Sequence, residues 1–259
     1  MQADVEGKSI LITGATQGIG RAIALECAAS GAEQIVISGL DKHDGGEVAA
    51  VIQPFGCTTH VIVQDLSQPG SADLLFNKAL KAMGRVDALV NAAGLTNRAS
   101  ALGASRDDWA LLFQINAQEP FFLIQNFLRA RIEANLPGQV VNILSMNAHL
   151  GSADLTIYAA TKAALALITR NIAHHHRFDR IRLNGINVGW ADTPGERHMQ
   201  ANILGQGEDW IKDVEAAQPF GRLVKPDDVA RLAVYLLSDA SAPMTGSIID
   251  QEQWVSGGP

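Results

Sequence analysis

Short continuous apolar runs recur along the chain, and longer segments with apolar residues at helical spacing lie between them. Such runs, which do not alternate with polar residues, are typical of strands covered on both faces of a parallel sheet. Strands are predicted over 9–13, 35–38, 59–63, 86–90, 139–144, 180–188 and 247–250. Helices are predicted over 20–30, 47–55, 71–83, 107–135 with a bend near Pro120, 158–174 and 226–238.

Strands that alternate with helices of this length form repeated βαβ units. No stretch rich in proline, glycine or serine divides the chain. We therefore predict the α/β fold class: one Rossmann-like, doubly wound parallel sheet with helices on both faces, as a single domain over 1–259. Residues 190–220 follow the sixth strand and are rich in glycine, glutamine and charge. Because loops after strand carboxyl ends form the ligand crevice, we predict that this segment is a substrate lid.

The composition narrows the class of protein. Hydrophobic residues make up 47% of the chain and charged residues 18%, which is typical of a globular protein. Lys plus Arg is 20 and Asp plus Glu is 27, so the net charge of −7 argues against a nucleic-acid partner. Cys27 and Cys57 are too few for a disulfide scaffold. Without a cationic start or an apolar run of roughly 20 residues, we expect a cytoplasmic protein with no membrane partner.

A glycine-rich turn, Thr13 to Gly20, joins the first strand to the first helix. Its glycines, Gly14, Gly18 and Gly20, permit a tight turn and a close approach of the backbone to a ligand. The helix that follows presents free N–H groups and its positive dipole end to an anion such as a pyrophosphate. An ordinary tight turn remains the alternative. A P-loop is excluded because no Gly-Lys-Ser or Gly-Lys-Thr follows.

Tyr158 and Lys162 are four residues apart and therefore share one face of a predicted helix. A lysine ammonium near a phenol favours the phenolate, so we expect the pKa of Tyr158 to be lowered. A phenol tuned in this way can act as a general acid or base. Ser145 directly follows a buried strand and could hold a substrate oxygen. Tyr-x-x-x-Lys alone is more often a solvated helix face, but here it follows the glycine turn and Ser145 in order.

In this combination of motifs, the chain resembles the short-chain dehydrogenase/reductase family of the compact single-domain type. The resemblance covers nearly the whole chain and adds Asn116 to Ser145, Tyr158 and Lys162 as a catalytic tetrad. It also implies that NAD or NADP is bound. The residues implied to contact it are Gly14, Gln17, Gly18, Ile19, Gly20, Asp41, Asp65, Leu66, Asn91, Ala92, Gly94, Tyr158, Lys162, Gly189 and Thr193.

The resemblance implies a role for each tetrad member. Tyr158 exchanges a proton with the substrate, and Ser145 hydrogen-bonds the same oxygen. Lys162 lowers the pKa of Tyr158 and holds the ribose hydroxyls. Asn116 positions a water that links Lys162 to solvent. Since all four residue types are present, we expect an active enzyme.

The chain departs from the family pattern at two places. Val188 replaces a proline just before Gly189, and the end of the last strand, Asp250-Gln251-Glu252, lacks the usual glycine pair. The choice of cofactor also lacks its usual signal. Asp41 could hold the ribose 2′-hydroxyl of NAD, while Lys42 or His43 could meet the 2′-phosphate of NADP. We favour NAD because no arginine is present there for the phosphate.

Residues on the substrate side are predicted from position alone. They are Ser145, Asn147, His149, Tyr158, Trp190 and Glu196. Polar side chains would suit a polyhydroxylated substrate, whereas a steroid or long acyl chain would need an apolar lining. The alternatives are that His149 is a surface loop residue, that Glu196 caps a helix in the lid, and that Trp190 serves only packing.

We therefore predict an NAD(P)-dependent oxidoreductase that interconverts a secondary alcohol and a ketone, most simply of a sugar or polyol. A 3-oxoacyl thioester reductase is the second possibility, although the lid has no basic cluster for an acidic carrier protein. A non-catalytic cofactor sensor is the third possibility. Loss of a tetrad residue would have favoured it, and all four are present.

Two further features bear on metals and partners. His174, His175 and His176 are consecutive, so on a helix they point in different directions, and we predict no metal site. Segments 121–124 and 163–167 are apolar on more than one helical face. One sheet covers only one face of a helix. The resemblance implies that the other faces join subunits in a homotetramer or homodimer.

Overall fold

One parallel sheet forms the centre of the molecule. The computed structural model describes residues 3–149 and 152–255, so residues 1–2, 150–151 and 256–259 of the predicted domain lie outside the described residues. In the described part the strands are β1 (Ser9–Thr13), β2 (Gln34–Gly39), β3 (Thr58–Val63), β4 (Ala88–Asn91), β5 (Gly138–Ser145), β6 (Ile181–Val188) and β7 (Ile248–Gln251). They are hydrogen-bonded in the order β3-β2-β1-β4-β5-β6-β7, and every pair is parallel.

Helices cover both faces of this sheet. In the described residues they are α1 (Gly18–Ala29), α2 (Lys42–Ile52), α3 (Ser71–Met83), α4 (Arg106–Phe113), α5 (Glu119–Glu133), α6 (Thr156–His175), α7 (Pro194–His198), α8 (Trp210–Ala216) and α9 (Pro226–Leu237). Ile10 and Ile12 pack with α1, α2 and α9, whereas Leu11 between them packs with α3 and α5. Successive strand residues point to opposite faces, and both faces are buried. This explains the continuous apolar runs and confirms the predicted fold class.

The largest difference from the predicted helices is at 107–135. There the chain forms α4, a π-helical turn over Gln114–Gln118, and α5. Pro120 lies in the first turn of α5, where its missing N–H is not needed. The interruption therefore consists of the π-helical turn, and the proline follows it.

Helix α2 begins five residues earlier than predicted. Asp41 caps it, because the Asp41 carboxylate accepts hydrogen bonds from the backbone N–H groups of His43 at 2.6 Å and Asp44 at 3.0 Å. Gly45 and Gly46 in its first turns are typical of a loop, which is why the sequence did not predict this start. A Cβ on Gly45 would lie 2.5 Å from Val61 Cγ1, so the close packing of α2 on β3 needs a glycine there.

Helix α3 takes its cap from another part of the chain. Its own cap residue, Gly70, has no side chain to offer. Instead Glu119, which is buried, accepts hydrogen bonds from Ser71 Oγ at 2.7 Å and from the backbone N–H of Ala72 at 2.6 Å. A carboxylate at a helix amino terminus also interacts favourably with the helix dipole. Glu119 thus ties α3 to the start of α5.

The parallel strands bring the functional loops together. Thr13, Asn91 and Asn142 are in register across β1, β4 and β5, and Ser145 is in register with Val188. Because all strands point the same way, the loops after them meet at one edge of the sheet. The predicted lid, 190–220, contains α7, a π-helical turn over Met199–Ile203, and α8. Among the described residues, no helix is long and apolar enough to cross a membrane.

Candidate active site

The glycine turn lies at this edge, between β1 and α1. Gly14 and Gly18 have φ of +63° and +55°, in the left-handed region that favours glycine. A Cβ on Gly14 would lie 2.8 Å from the backbone of Ala93, so the turn packs directly on the loop after β4. Thr13 Oγ1 holds that loop, because it accepts hydrogen bonds from the N–H groups of Ala92 and Ala93, both at 3.1 Å.

Helix α1 begins directly after the glycine turn, at the same edge of the sheet. Its cap residue, Gln17, makes no side-chain hydrogen bond to the first turn. The helix therefore keeps free N–H groups and a positive dipole end. A Cβ on Gly18 would lie 3.7 Å from Thr193 Cβ, so the turn also meets the start of the lid. A dinucleotide pyrophosphate needs glycines that let the backbone come close and free N–H groups that donate to its oxygens. The glycine turn and the start of α1 provide both, so these residues fit a dinucleotide.

The structure brings Ser145, Tyr158 and Lys162 to the carboxyl end of β5. All three side chains are buried. Lys162 Nζ donates a hydrogen bond to the carbonyl oxygen of Ile143 at 2.9 Å and lies 5.7 Å from the centre of the Tyr158 ring. Ser145 Oγ accepts hydrogen bonds from the backbone N–H and the side-chain amide of Asn147 at 3.2 and 3.4 Å.

Burial shifts both titratable groups toward their neutral forms. It raises the pKa of Tyr158 to about 12, and the nearby charge of Glu196 adds to this while the Ser145 side chain opposes it. It lowers the pKa of Lys162 to about 8. The expectation that the pKa of Tyr158 is lowered is therefore wrong for the protein alone. The reason is that burial of the phenol outweighs the lowering by the Ser145 side chain.

Asn116 lies in the π-helical turn and is fully buried. Its Oδ1 accepts from the N–H of Leu95 at 2.9 Å, and its Nδ2 donates to the Leu95 carbonyl at 2.9 Å and to Thr161 Oγ1 at 3.2 Å. A Cβ on Gly94 would lie 3.3 Å from Asn116 Oδ1 and 3.4 Å from Lys162 Nζ. Asn116 thus joins the loop after β4 to α6, beside Lys162. A water held there remains a prediction.

The predicted lid contains a polar cluster around Glu196, whose charge contributes to the raised pKa of Tyr158. Glu196 Oε1 accepts hydrogen bonds from Trp190 Nε1 at 2.9 Å and from Gln200 Nε2 at 2.6 Å. Arg98 Nη2 lies 3.8 Å from the same oxygen, and Arg98 Nε is buried with no partner in the described residues. Sequence reasoning missed Arg98 and Gln200, because no motif spacing marks either.

Glu196 and Trp190 have different structural roles in the predicted lid. The cap of α7 is Thr193, whose Oγ1 accepts from the N–H of Glu196 at 3.1 Å, so Glu196 is not a helix cap. Trp190 does serve packing, since its ring stacks on Trp210 at 5.9 Å between centres. Its indole N–H also donates the hydrogen bond to Glu196, so Trp190 both packs on Trp210 and orients Glu196.

The predicted substrate residue His149 is directed toward β7. Its Nε2 lies 2.9 Å from Asp250 Oδ1 and 2.8 Å from Asn187 Nδ2. Burial raises the pKa of Asp250, whereas hydrogen bonds from Asn187 and His149 lower it, and the net direction is downward. His149 is an exposed turn residue, as the alternative to a substrate role expected, and its ring contacts Asn187 and Asp250.

The departures near the end of the chain form contacts of their own. Glu252 Oε2 accepts a hydrogen bond from the backbone N–H of Trp190 at 3.1 Å. The Glu252 carboxylate packs against Gly189 so closely that a Cβ there would overlap it. Glu252 was not among the predicted site residues. It fixes the backbone that follows Val188, where the family pattern has a proline.

The residues predicted to contact the adenine end of the cofactor differ in burial and in their hydrogen bonds. Leu66 is buried, and Asp65 is held by the N–H of Ser67 at 2.8 Å, which lowers the pKa of Asp65. Asp41 is exposed and uses one oxygen to cap α2. The remaining predicted cofactor residues, Ile19 and Gly20, lie in the first turn of α1, and Asn91 ends β4.

A parallel sheet with a glycine turn after its first strand and a buried Ser-Tyr-Lys group at the same edge defines a dinucleotide-binding α/β protein. The family described as enoyl-(acyl carrier protein) reductase matches residues 14–253. A 3-oxoacyl-[acyl-carrier-protein] reductase of Chlamydia pneumoniae is 30% identical over 96% of this chain and 97% of its own length. A sorbitol dehydrogenase of Cereibacter sphaeroides is 31% identical over 98% of both chains.

A solved structure agrees over the full length. The L-sorbose reductase of Gluconobacter frateurii, complexed with NADPH and L-sorbose, has a TM-score of 0.92 and 26% identity and covers 100% of both chains. The chain therefore belongs to the short-chain dehydrogenase/reductase family. It is an oxidoreductase of the type that uses NAD or NADP.

Proposed function

We propose that the protein interconverts a secondary alcohol and a ketone of a sugar or polyol. The observation that carries this proposal is the polar cluster around Glu196, whose charge acts on Tyr158. Glu196, Trp190 and Gln200 are joined by hydrogen bonds of 2.6–2.9 Å, with Arg98 at 3.8 Å. Such a polar lining suits a substrate with many hydroxyls, whereas an acyl chain would need an apolar one.

In this proposal Tyr158 exchanges a proton with the substrate oxygen, and Ser145 hydrogen-bonds that oxygen. Lys162 supplies the cation that stabilises the phenolate once the site is assembled. Since burial raises the pKa of Tyr158 to about 12, the phenol needs this help to act as a base near neutral pH. Asn116 keeps the loop after β4 against α6, which positions Lys162.

The nicotinamide cofactor supplies the hydride acceptor or donor. Gly14, Gly18 and the first N–H groups of α1 would hold its pyrophosphate. Asp65 and Leu66 would contact the adenine, Lys162 the ribose, and the Gly189 to Thr193 backbone the carboxamide. The absence of an arginine after β2 in the sequence favours NAD. Asp41 could hold the ribose 2′-hydroxyl only with its second oxygen, because the first caps α2. Solved relatives hold NADP or NADPH, the L-sorbose reductase among them, so the comparisons do not support NAD over NADP.

The relatives support two substrate classes. A sorbitol dehydrogenase and an L-sorbose reductase favour the polyol proposal. A 3-oxoacyl-[acyl-carrier-protein] reductase at nearly the same identity favours a 3-oxoacyl thioester as the second candidate. The polar cluster at Glu196 argues for the first.

The test is an assay with purified protein, with NAD and NADP separately, against sugars, polyols and simple secondary alcohols, followed by nicotinamide absorbance. Turnover of a polyol that is lost in Tyr158→Phe supports the proposal and identifies the cofactor. Glu196→Gln keeps the shape of the side chain and should lower kcat/KM for polyols about tenfold or more, as one charge-assisted hydrogen bond is weakened. Turnover of 3-oxoacyl thioesters but no polyol would refute it.

We also propose a homotetramer or homodimer joined through α5 and α6. Phe122 and Leu167 on these helices are 37% and 57% exposed in one chain. Apolar side chains on a second helical face are typical of subunit contacts. Light scattering after gel filtration tests this, and Leu167→Glu is expected to reduce the assembled mass. A monomeric wild-type protein would exclude it.

A further inference from the structure

A cavity of about 870 Å³ lies at the amino-terminal edge of the sheet, opposite the glycine turn. Its walls come from segments that precede or begin β1, β4, β5 and β6, and from the loop after α9. The basic residues that line it are Lys8, Arg85, Arg131, Arg177, Arg180 and Arg182. We call this space the basic cavity. Three of these residues lie within 177–182, and the other three come from distant parts of the chain.

Part of this positive charge is neutralised inside the cavity. Asp87 lies 2.9 Å from Arg85 and 2.8 Å from Arg131, and Asp239 lies 3.5 Å from Lys8. These two acids are the only acidic residues that line the cavity in the described part of the chain. They leave the three remaining arginines without a counterion.

Arg177, Arg180 and Arg182 have no carboxylate within 4.0 Å among residues 3–149 and 152–255. Arg177 donates a hydrogen bond to the carbonyl of His174, and Arg180 donates to that of Asn135 at 2.8 Å. Arg182 is more fully engaged, since it donates to the Ser238 carbonyl and Ser241 Oγ, both at 2.8 Å, and to the Met244 carbonyl at 3.2 Å. The bonds to His174 and Asn135 account for one nitrogen of Arg177 and one of Arg180. A guanidinium has five N–H donors, so most of theirs remain open to a ligand.

Arg182 lies deeper in the wall than the other two. Burial lowers the pKa of Arg182, and only the more distant Asp239 and Tyr235 oppose this. A cation that is partly removed from water without a paired anion is costly for the folded protein. An anion in the cavity would offset that cost.

Backbone strain marks the same place. Asn135 and Arg180 have φ of 54° and 60°, and they are the non-glycine residues with positive φ in the described chain. They contact each other at the rim, through Arg180 Nη2 and the Asn135 carbonyl. Glycine would adopt this conformation at lower cost. Arginine adopts this conformation at a cost, and its side chain is directed to the cavity rim, where it donates to the Asn135 carbonyl.

An aromatic side chain completes the lining. Phe178 is 82% exposed, and the Arg177 guanidinium lies over its ring, 4.4 Å from the ring centre. The pair offers a flat apolar surface directly beside the cations. A ligand with both an anionic group and an apolar body would contact both parts.

We propose that the basic cavity binds a small organic phosphate, with its phosphoryl oxygens on Arg177, Arg180 and Arg182 and its body against Phe178. Guanidinium groups match phosphate oxygens in geometry and charge. The volume is in the range of small-molecule sites. The site is at the other edge of the sheet from Tyr158, so this proposal is independent of the substrate proposed above.

Isothermal titration calorimetry with phenyl phosphate, at an ionic strength held constant with chloride, tests it. Wild-type protein should bind, and Arg180→Gly and Arg177→Gln should each raise Kd about tenfold or more, as expected for one charge-assisted hydrogen bond. Arg180→Gly also relieves the strained φ, so its Tm should equal or exceed that of the wild type. Arg129→Gln removes the same charge from an exposed position of α5 that does not line the cavity, and Kd should not change.

Three results would overturn the proposal. Absence of binding to the wild type is the first. Equal Kd in all variants is the second, and it would assign the phosphate to another place such as the glycine turn. Equal binding of phenol, which has the ring without the phosphate, is the third, since it would leave Phe178 as the sole determinant. If Arg180→Gly lowers Tm, Arg177→Gln alone decides, because Arg177 has an ordinary backbone conformation.

Discussion

Lys162→Met is expected to remove catalytic turnover and to stabilise the folded protein at neutral pH. The pKa of Lys162 is lowered from 10.5 to about 8 by burial. One pKa unit corresponds to about 1.4 kcal/mol, so the buried ammonium destabilises the native state by about 3 kcal/mol. Methionine has a similar length and no charge, but it loses the hydrogen bond to Ile143, worth about 1 kcal/mol. The free energy of unfolding at pH 7 should therefore rise by about 2 kcal/mol.

The sign of this difference should depend on pH. Between about pH 8 and 10.5 the unfolded chain keeps the Lys162 proton and the folded chain has lost it. Since the unfolded state then binds more protons, the wild type gains stability as the pH rises through this window. Below this pH window the buried ammonium destabilises the folded wild type by the full amount, and above the window it no longer does so. By pH 10.5 only the lost hydrogen bond remains, so the variant should be less stable there by about 1 kcal/mol.

Urea unfolding followed by circular dichroism, at one protomer concentration and at pH 7, 8.5 and 10, measures both free energies. Other titrating groups cancel in the difference between the two proteins. Lys81→Met, on the exposed side of α3, is the matched control and should show no such pH-dependent difference. A Lys162→Met protein that is less stable at pH 7, or a difference that stays constant to pH 10, would refute the reasoning.

Three other substitutions test contacts described above. Glu119→Ala removes the buried cap of α3 and should lower the free energy of unfolding by about 3 kcal/mol or more; a loss below about 1 kcal/mol in urea would contradict this. Asn116→Ala frees the loop at Leu95 and should raise KM for the cofactor several-fold, whereas an unchanged KM would exclude a positioning role. Glu252→Ala releases the N–H of Trp190 and should lower kcat/KM about tenfold. Glu252→Gln can still accept that hydrogen bond and should retain most activity. Equal losses in the two variants would contradict a role for the hydrogen bond.

Much of the fold could be predicted because it depends on local pattern. Strand β1 and helix α3 have the predicted bounds, since an apolar run and a helical period define them without help from the rest of the chain. The early start of α2 could not be predicted. Gly45 is typical of a turn, and its use in a helix depends on contact with Val61 on a neighbouring strand.

The site divides in the same way. The glycine turn, Tyr158 and Lys162 are recognisable because spacing along one element sets their geometry. Arg98 and Glu252 were not predicted, since each reaches the site from a segment far away in sequence. The raised pKa of Tyr158 was missed for a related reason: burial is a property of the whole fold.

The π-helical turn at Gln114–Gln118 has a consequence for how this region tolerates change. A π-helical turn contains one residue more than the α-helical turn it interrupts. Deleting any one residue between α4 and α5 would restore a regular helix, but it would rotate one side against the other by about 100°. Asn116 could then no longer meet Leu95 while Glu119 still capped α3. The length of this segment is therefore more strictly constrained than the identity of most of its residues.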